Sequence, residues 1–244
     1  MSLLFRKISF FFALVFFGIG ALLLGFVVFP VVQIFSKNSK NYKIRCAKIV
    51  HFLWRILVKY IEITGIIKVN ADEKNSLIKN KIIVASHPSY IDILLLIALV
   101  PNSLCLAKNS ILNNFVMKNI VKSLYITNDG SVEDFLKKSK SALDDGFNVI
   151  IFPTGKRVDE GEEVHIYKGA AQLAIESKYP IVPVKISTSE SFLTKNHSIF
   201  QIGEKTVEFV IKTQDEIVVE NIKTVDMTEI SLRNKICSII KEKI

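Results

Sequence analysis

Residues 82–96 read IIVASHPSYIDILLL and place a strand pattern directly before a helix pattern. The apolar, β-branched run 82–85 predicts a buried strand, and the apolar stretch 90–99 has the length and period of a helix. The polar residues between them, beginning with His87, predict a short loop. A strand that passes directly into a helix is the repeating unit of α/β proteins, so this segment predicts that class of fold.

The same alternation continues along the chain. Other short β-branched apolar runs predict strands at 66–69, 104–107, 124–127, 149–152, 181–186 and 207–211. Segments with helical period predict helices at 110–122, 132–143, 169–177 and 226–244. Strands that alternate with helices indicate a largely parallel central sheet flanked by helices.

The N-terminal part of the chain is different, because residues 8–35 contain no charged side chain and hold eight of the seventeen phenylalanines. A helix over residues 8–30 is long enough to cross the ~30 Å hydrocarbon layer of a bilayer. A segment that enters the membrane and returns is equally compatible, with possible bends at Gly18, Gly20, Gly25 and Pro30. A cleaved signal peptide is disfavoured, since the apolar run is too long and no cleavage site follows it.

Basic residues flank this apolar run, and they are denser after it than before it. Residues 42–62 have apolar positions at helical spacing mixed with lysine and arginine, which predicts an interfacial helix. We therefore expect residues 1–62 to form membrane-associated helices and residues 63–244 to form the main α/β domain. The basic cluster favours a domain on the cytoplasmic side, and we expect the membrane to be the inner membrane.

The composition narrows the range of functions. The 244 residues are 50% hydrophobic and carry a net charge of +9, which suits an anionic membrane surface or a phosphorylated substrate. Nucleic-acid binding has only the net charge in its favour, so we expect no nucleic-acid partner. Neither a disulfide framework nor a metal site is predicted, because the cysteines and the remaining histidines lack the required spacing: Cys46, Cys105, Cys237, His51, His165 and His197.

His87 and Asp92 are the first candidates for chemistry, because α/β proteins place their sites where strands end. From the loop before the helix, His87 can reach a carboxylate in the first helical turn. An imidazole held in this way at one nitrogen presents the other as a general base. The alternative is purely structural: Ser89 caps the helix, Asp92 completes a capping box and His87 is an ordinary loop residue. The spacing alone leaves both interpretations open.

Three further motifs follow in order: AKNSILNNFVMKNIVKSLYITND at 107–129, FPTGKR at 152–157, and KGAAQLAI at 168–175 with PIVPV at 180–184. Together with H-x-x-x-x-D at 87–92, they resemble the motif blocks of the glycerolipid acyltransferase family, which includes lysophosphatidic acid acyltransferases. With the apolar N-terminus, the resemblance covers roughly residues 5–200.

The resemblance implies transfer of a fatty acyl chain from acyl-CoA or acyl carrier protein to the free hydroxyl of a lysophospholipid. The expected acceptor is 1-acyl-sn-glycerol-3-phosphate, which would give phosphatidic acid. His87 is then expected to deprotonate the hydroxyl and Asp92 to orient the imidazole. The resemblance further implies substrate binding by Lys108, Gly155, Lys156 and Arg157. No cofactor is expected besides the acyl donor, and the expected partners are membrane lipids, the acceptor and the donor.

The chain departs from the family pattern at several positions. Thr154 stands where the family has glutamate, Lys156 where it has threonine, and Asn128 where arginine is common. Gly155 with two neighbouring cations still forms a reasonable anion-binding loop. Because of these departures, the sequence does not determine the identity of the acceptor lipid. They also motivate one alternative function, a membrane-anchored lipid-binding accessory protein without activity.

Two other classes of enzyme are disfavoured. A serine hydrolase would need a G-x-S-x-G motif, and a P-loop protein would need a further glycine before Gly155 and a serine or threonine after Lys156. The sequence contains no G-x-S-x-G motif, and the residues around Gly155 and Lys156 do not form a P-loop motif.

Overall fold

A computed structural model describes residues 2–128, 131–158, 164–194 and 202–244. The strands within these residues are β1 (Ile67–Ala71), β2 (Ile82–Ala85), β3 (Ser103–Lys108), β4 (Tyr125–Asn128), β5 (Asn148–Ile151), β6 (Ile181–Thr188) and β7 (Val207–Thr213). The α-helices are α1 (Leu3–Leu23), α2 (Phe29–Ile34), α3 (Ser39–Ile63), α4 (Asp92–Leu99), α5 (Lys118–Leu124), α6 (Val132–Asp144), α7 (Gly169–Ser177), α8 (Val219–Ile222) and α9 (Glu229–Lys243).

One seven-stranded sheet forms the centre of the molecule, in the order β1-β7-β6-β2-β5-β3-β4. All neighbouring pairs are parallel except β6 and β7, which pair antiparallel. Every residue of β2 is buried, because β5 and β6 cover its two edges and helices cover the faces of the sheet. The prediction of a largely parallel α/β sheet is therefore confirmed. Both the first and the last residue of each predicted strand lie within two residues of the observed ones.

The helix predicted over residues 110–122 is wrong in its first half. A 3₁₀ turn covers Asn109–Asn113, and α5 begins only at Lys118. The side chain of Asn114 explains the break, because its Oδ1 accepts hydrogen bonds from the backbone N–H groups of Val116 (3.0 Å) and Met117 (3.2 Å). Such local side-chain bonds compete with helical backbone bonds and favour a turn.

The N-terminal segment is one continuous helix from Leu3 to Ile34, in which a π-helical stretch (Leu24–Val28) joins α1 to α2. It is long and apolar enough to cross a membrane. The chain passes through the glycines and Pro30 without turning back and reverses only after Phe35, so that α3 returns beside α1. The ring of Phe17 stacks on Trp54 of α3 with centroids 5.4 Å apart, and the Tyr60 hydroxyl donates to the carbonyl of Ser9 (3.2 Å).

Both ends of this long helix contact the α/β body. At the start, the buried Arg6 guanidinium donates to the backbone carbonyls of Glu204 and Lys205, just before β7. Towards the other end, the side-chain amide of Asn119 in α5 donates to the carbonyl of Gly25 (3.1 Å). A Cβ at Gly25 would lie 3.0 Å from the Asn119 Cβ, so glycine permits this close approach. The helix therefore lies along the body rather than projecting from it.

The outer side of the helix is exposed and apolar along its whole length. We call this surface the α1 apolar face; its large exposed side chains are Leu4, Phe5, Ile8, Phe11, Phe12, Val15, Phe16, Ile19, Leu23, Phe26, Val27, Val31 and Ile34. The outer side of α3 mixes basic and apolar side chains, and we call it the α3 basic face: Arg45, Lys48, Phe52, Arg55, Ile56, Lys59 and Ile63.

Asn148 is the first residue of β5, so it lies at the edge of the sheet opposite the loops that follow the parallel strands. Its side chain connects three segments of the chain there. Its Oδ1 accepts from the backbone N–H of Lys81, and its Nδ2 donates to the carbonyls of Ile78 and Pro101, all at 3.0 Å. The side chain is buried and supplies a hydrogen-bond partner to each of these three backbone groups.

We expect Asn148→Ala to lower the free energy of unfolding by about 3 kcal/mol, because it removes the partners of three backbone groups. Urea unfolding in detergent, followed by circular dichroism, measures this loss. The control is Asn70→Ala on the exposed side of β1, which should change stability by less than about 0.5 kcal/mol. Equal losses in the two variants would contradict the role assigned to Asn148.

Candidate active site

The loop between β2 and α4 joins His87 to Asp92. The His87 Nδ1 lies 2.9 Å from Asp92 Oδ2, and the same oxygen accepts a hydrogen bond from the backbone N–H of Ser89 at 2.7 Å. When Asp92 is ionised, both of its oxygens can only accept, so His87 Nδ1 carries the proton that lies between the two side chains. The other ring nitrogen, Nε2, is then the basic atom.

The two interpretations of this segment are both partly realised. Asp92 bonds to the Ser89 amide, as the acid of a capping box does. The reciprocal bond, from the backbone N–H of Asp92 to the Ser89 hydroxyl, is not among the hydrogen bonds of the described residues. The hydroxyl lies 3.5 Å from the backbone nitrogen of Ile91 instead, and α4 begins only at Asp92, so Ser89 does not cap this helix. The carboxylate therefore shapes the loop and holds the imidazole with one oxygen.

The two partners of the pair are buried to different extents. Asp92 is fully buried, whereas the His87 side chain keeps 19% of its accessible surface. Burial raises the pKa of Asp92, while hydrogen bonds from His87 and Ser89 and the charges of His87 and Arg157 oppose this rise. A buried carboxylate beside an imidazole stabilises the imidazolium form, which is what a general base needs when it takes up a proton.

The loop that follows β5 packs against His87. The ring of Phe152 stacks on the imidazole, with centroids 4.2 Å apart and an interplanar angle of 24°. The backbone N–H of Val158 donates to the carbonyl of His87 (3.0 Å). The two loops meet because β2 and β5 are parallel neighbours, so their carboxyl ends lie at the same edge of the sheet.

Residues 152–157 form a tight turn at this edge. Gly155 has φ +64°, and a Cβ there would lie 3.0 Å from the Tyr167 ring, so the position favours glycine. Thr154 is buried, and its hydroxyl donates to the carbonyl of Lys156 (2.6 Å). The residue that replaces the glutamate of the family pattern thus closes the turn and places no negative charge in it.

Arg157 is held at two points beside the His87–Asp92 pair. Its Cζ lies 3.3 Å from the centroid of the Tyr90 ring, and its Nη1 donates to the carbonyl of Leu193 (3.3 Å). The structure therefore brings four of the predicted site residues to one edge of the sheet: His87, Asp92, Gly155 and Arg157. Lys156 lies in the same turn and is exposed.

Lys108 is the last residue of β3, and its backbone is paired with that of Asn128. Because β3 runs parallel beside β5, it ends at the edge that carries the site. The side chains of Lys108, Ser110 and Asn128 lie outside the described residues, so the predicted role of Lys108 stays a prediction.

Sequence reasoning missed four residues of this site: Tyr90, Phe152, Tyr167 and Leu193. Tyr90 and Phe152 lie inside the recognised motifs, where an aromatic residue close to a candidate base or cation could have been predicted to pack against it. Tyr167 and Leu193 reach the site only through the path of the chain, and no local pattern marks them.

Residues 66–187 match the acyltransferase family. The chain belongs to this family. The match contains both loops described above and excludes α1 to α3. The prediction of a glycerolipid acyltransferase relationship, made from four short motifs, is confirmed.

Individual relatives agree with this assignment. A 1-acyl-sn-glycerol-3-phosphate acyltransferase from Cocos nucifera is 25% identical over 143 residues, which are 55% of this chain and 46% of the relative. The human 1-acyl-sn-glycerol-3-phosphate acyltransferase alpha is 24% identical over 204 residues, 80% of this chain and 69% of the relative. The chain thus spans about half the length of the first of these relatives.

A solved structure has the same fold. The 1-acyl-sn-glycerophosphate acyltransferase PlsC from Thermotoga maritima superimposes with a TM-score of 0.67 at 16% identity. The superposition covers 98% of this chain and 95% of the other, so the likeness includes the N-terminal helices.

The hydrogen-bond arrangement predicts the tautomer of His87. In mildly alkaline solution, we expect the neutral ring to carry its proton on Nδ1, because Asp92 Oδ2 accepts from it. Nitrogen-15 NMR of histidine-labelled protein distinguishes the two tautomers, and a His87→Gln variant assigns the signal. In Asp92→Asn, the amide can donate to Nδ1, so a shift towards the Nε2-protonated tautomer is expected. An Nε2-protonated ring in the unmodified protein would contradict the assignment.

Proposed function

We propose that this protein is an O-acyltransferase that moves a fatty acyl chain from acyl-CoA or acyl carrier protein to the free hydroxyl of a lysophospholipid. The observation that carries the proposal is the hydrogen bond between His87 and buried Asp92, formed next to Arg157 at the carboxyl edge of the sheet. The named relatives act on 1-acyl-sn-glycerol-3-phosphate, and we propose the same acceptor here.

The pair can perform the proton transfers of this reaction without a covalent enzyme intermediate. His87 Nε2 takes the proton of the acceptor hydroxyl as its oxygen attacks the thioester carbonyl. The tetrahedral intermediate then collapses, the carbon–sulfur bond breaks, and the imidazolium returns the proton to the leaving thiolate. The products are an ester and a free thiol. Asp92 stabilises the imidazolium between the two steps.

The turn at residues 152–157 is the proposed site for the acceptor phosphate. A guanidinium offers donors in a planar fork that matches phosphate, and Arg157 lies close enough to the pair to influence the pKa of Asp92. Thr154 and Lys156 make the turn more positive than the glutamate and threonine of the family pattern would. This charge favours an anionic acceptor.

The N-terminal helices are proposed to hold this site at the membrane. Because both ends of the long helix contact the body, the α1 apolar face is the side of this helix that is left exposed to acyl chains. The α3 basic face then lies at the level of anionic headgroups. Residues 1–62 form the membrane-associated part in this proposal and residues 63–244 the catalytic domain, on the cytoplasmic side of the inner membrane.

The central test is turnover. Purified protein in detergent, given acyl-CoA or acyl carrier protein and a panel of lysolipids, is expected to release free thiol and form diacyl lipid. We expect His87→Ala to lower the rate about 10³-fold, because the variant lacks the group that is proposed to take the proton. Thiol release measured with a chromogenic disulfide, together with lipid chromatography, follows both products.

The control is Asn221→Ala, which removes an exposed side chain from α8 and should leave the rate unchanged. Normal turnover in a folded His87→Ala variant would exclude the proposed base. Binding of lysolipid with no turnover on either donor would instead identify the accessory protein considered from the sequence.

Membrane association has its own test. We expect Phe11→Asp/Phe16→Asp to reduce flotation with vesicles of anionic phospholipid at least about tenfold, because two charges would enter the apolar layer. Both side chains are more than half exposed on the α1 apolar face. Val225→Asp is the control, since Val225 is fully exposed beyond α8, away from this face. Unchanged flotation of the double variant would contradict the proposed membrane surface.

A further inference from the structure

Tyr90 takes no part in the proposed proton transfer, yet it lies between the two halves of the site. It belongs to the loop that carries His87, and the residue is 54% exposed. The Arg157 Cζ lies 3.3 Å from the centre of this ring. A cation at this distance over an aromatic face is attracted by the ring quadrupole.

The short distance restricts the orientation of the guanidinium. Each of its C–N bonds is about 1.3 Å long, so a steep tilt would push a nitrogen into the ring. The group must therefore lie close to parallel with the ring of Tyr90. Its N–H donors then radiate in a plane above the ring, in the arrangement that binds two oxygens of a phosphate.

The carbonyl of Leu193 fixes the position of the guanidinium within that plane. It accepts hydrogen bonds from Arg157 Nη1 (3.3 Å) and from the backbone N–H of Tyr90 (3.1 Å), so one oxygen joins the two residues. The bond to Leu193 uses one of the five N–H donors of Arg157. The described part of the chain shows no other hydrogen bond from the guanidinium.

Leu193 adopts a backbone conformation that must be held in place. Its φ is +51°, a left-handed conformation that leucine rarely takes. The adjacent Phe192 is buried and packs edge-on against Phe10 of α1 (6.2 Å between centroids) and Phe209 of β7 (6.1 Å). The carbonyl that holds Arg157 is thus anchored on both the sheet and the N-terminal helix.

We propose that Tyr90 is a positioning residue for anion binding. Its ring and the Leu193 carbonyl hold the Arg157 guanidinium with its donors directed at the acceptor phosphate, and Tyr90 thereby sets the preference of the site for phosphate-bearing acceptors. An arginine without this support loses more side-chain entropy when it binds, so the affinity falls. The inference rests on the proposed function, since it concerns the acceptor of that reaction.

The test is equilibrium binding of a radiolabelled short-chain lysophosphatidic acid to the full-length protein, compared with a monoacylglycerol of the same chain length. We expect Tyr90→Leu to weaken binding of the lysophosphatidic acid about tenfold and to leave the monoacylglycerol unchanged. Tyr90→Phe keeps the ring face and is expected to bind both within about twofold of the unmodified protein.

Arg157→Lys gives a second variant, because it keeps the charge and loses the flat group that stacks. We expect a similar loss for the lysophosphatidic acid, and no further loss when it is combined with Tyr90→Leu. Additive losses would overturn the proposal, as would an equal loss for both lipids in Tyr90→Leu or no loss for either.

The binding measurement is independent of turnover. If the unmodified protein transfers no acyl chain but binds lysophosphatidic acid through Tyr90, the proposed function fails and this inference stands. If it turns over normally while Tyr90→Leu binds and reacts with an unchanged KM, the inference fails and the function stands.

Discussion

One carboxylate oxygen organises the loop on which the site depends. Asp92 Oδ2 accepts from the Ser89 amide and from His87 Nδ1, and it does so fully buried at the start of α4. A buried carboxylate is costly unless it is bonded, so the loop can close around it only in a conformation that supplies these donors. The same constraint that orders the backbone therefore also sets the tautomer and direction of the imidazole.

The rest of the site is assembled by the order of strands. The loops after β2 and β5 are distant in sequence, but parallel pairing brings their carboxyl ends together, and Phe152 then stacks on His87. β6 is parallel to β2, so it also ends at this edge, and the antiparallel β7 begins there. The connection between β6 and β7 therefore lies at the same edge, where the Leu193 carbonyl bonds to Arg157. Each loop supplies one part of the proposed site: the proposed base, the proposed anion-binding turn and the carbonyl that holds the arginine of that turn.

The N-terminal helices connect this edge of the sheet to the proposed membrane surface. Arg6 bonds to backbone carbonyls just before β7, and Phe10 packs on Phe192, which precedes the carbonyl that holds Arg157. The helix that presents the α1 apolar face thus contacts the connection whose carbonyl holds Arg157. In our proposal, membrane attachment and acceptor binding therefore use neighbouring parts of one packed structure.

Local patterns in the sequence determined the strands, most helices and the His87–Asp92 pair, because periodicity and short spacing act over a few residues. They failed at residues 110–117, where the side chain of Asn114 competes with helical backbone bonds. Only the tertiary structure decided which loops meet, and hence that Tyr90 carries Arg157 and Tyr167 packs at Gly155. Those contacts depend on strand order and on burial between distant segments, neither of which is encoded in any single stretch of the chain.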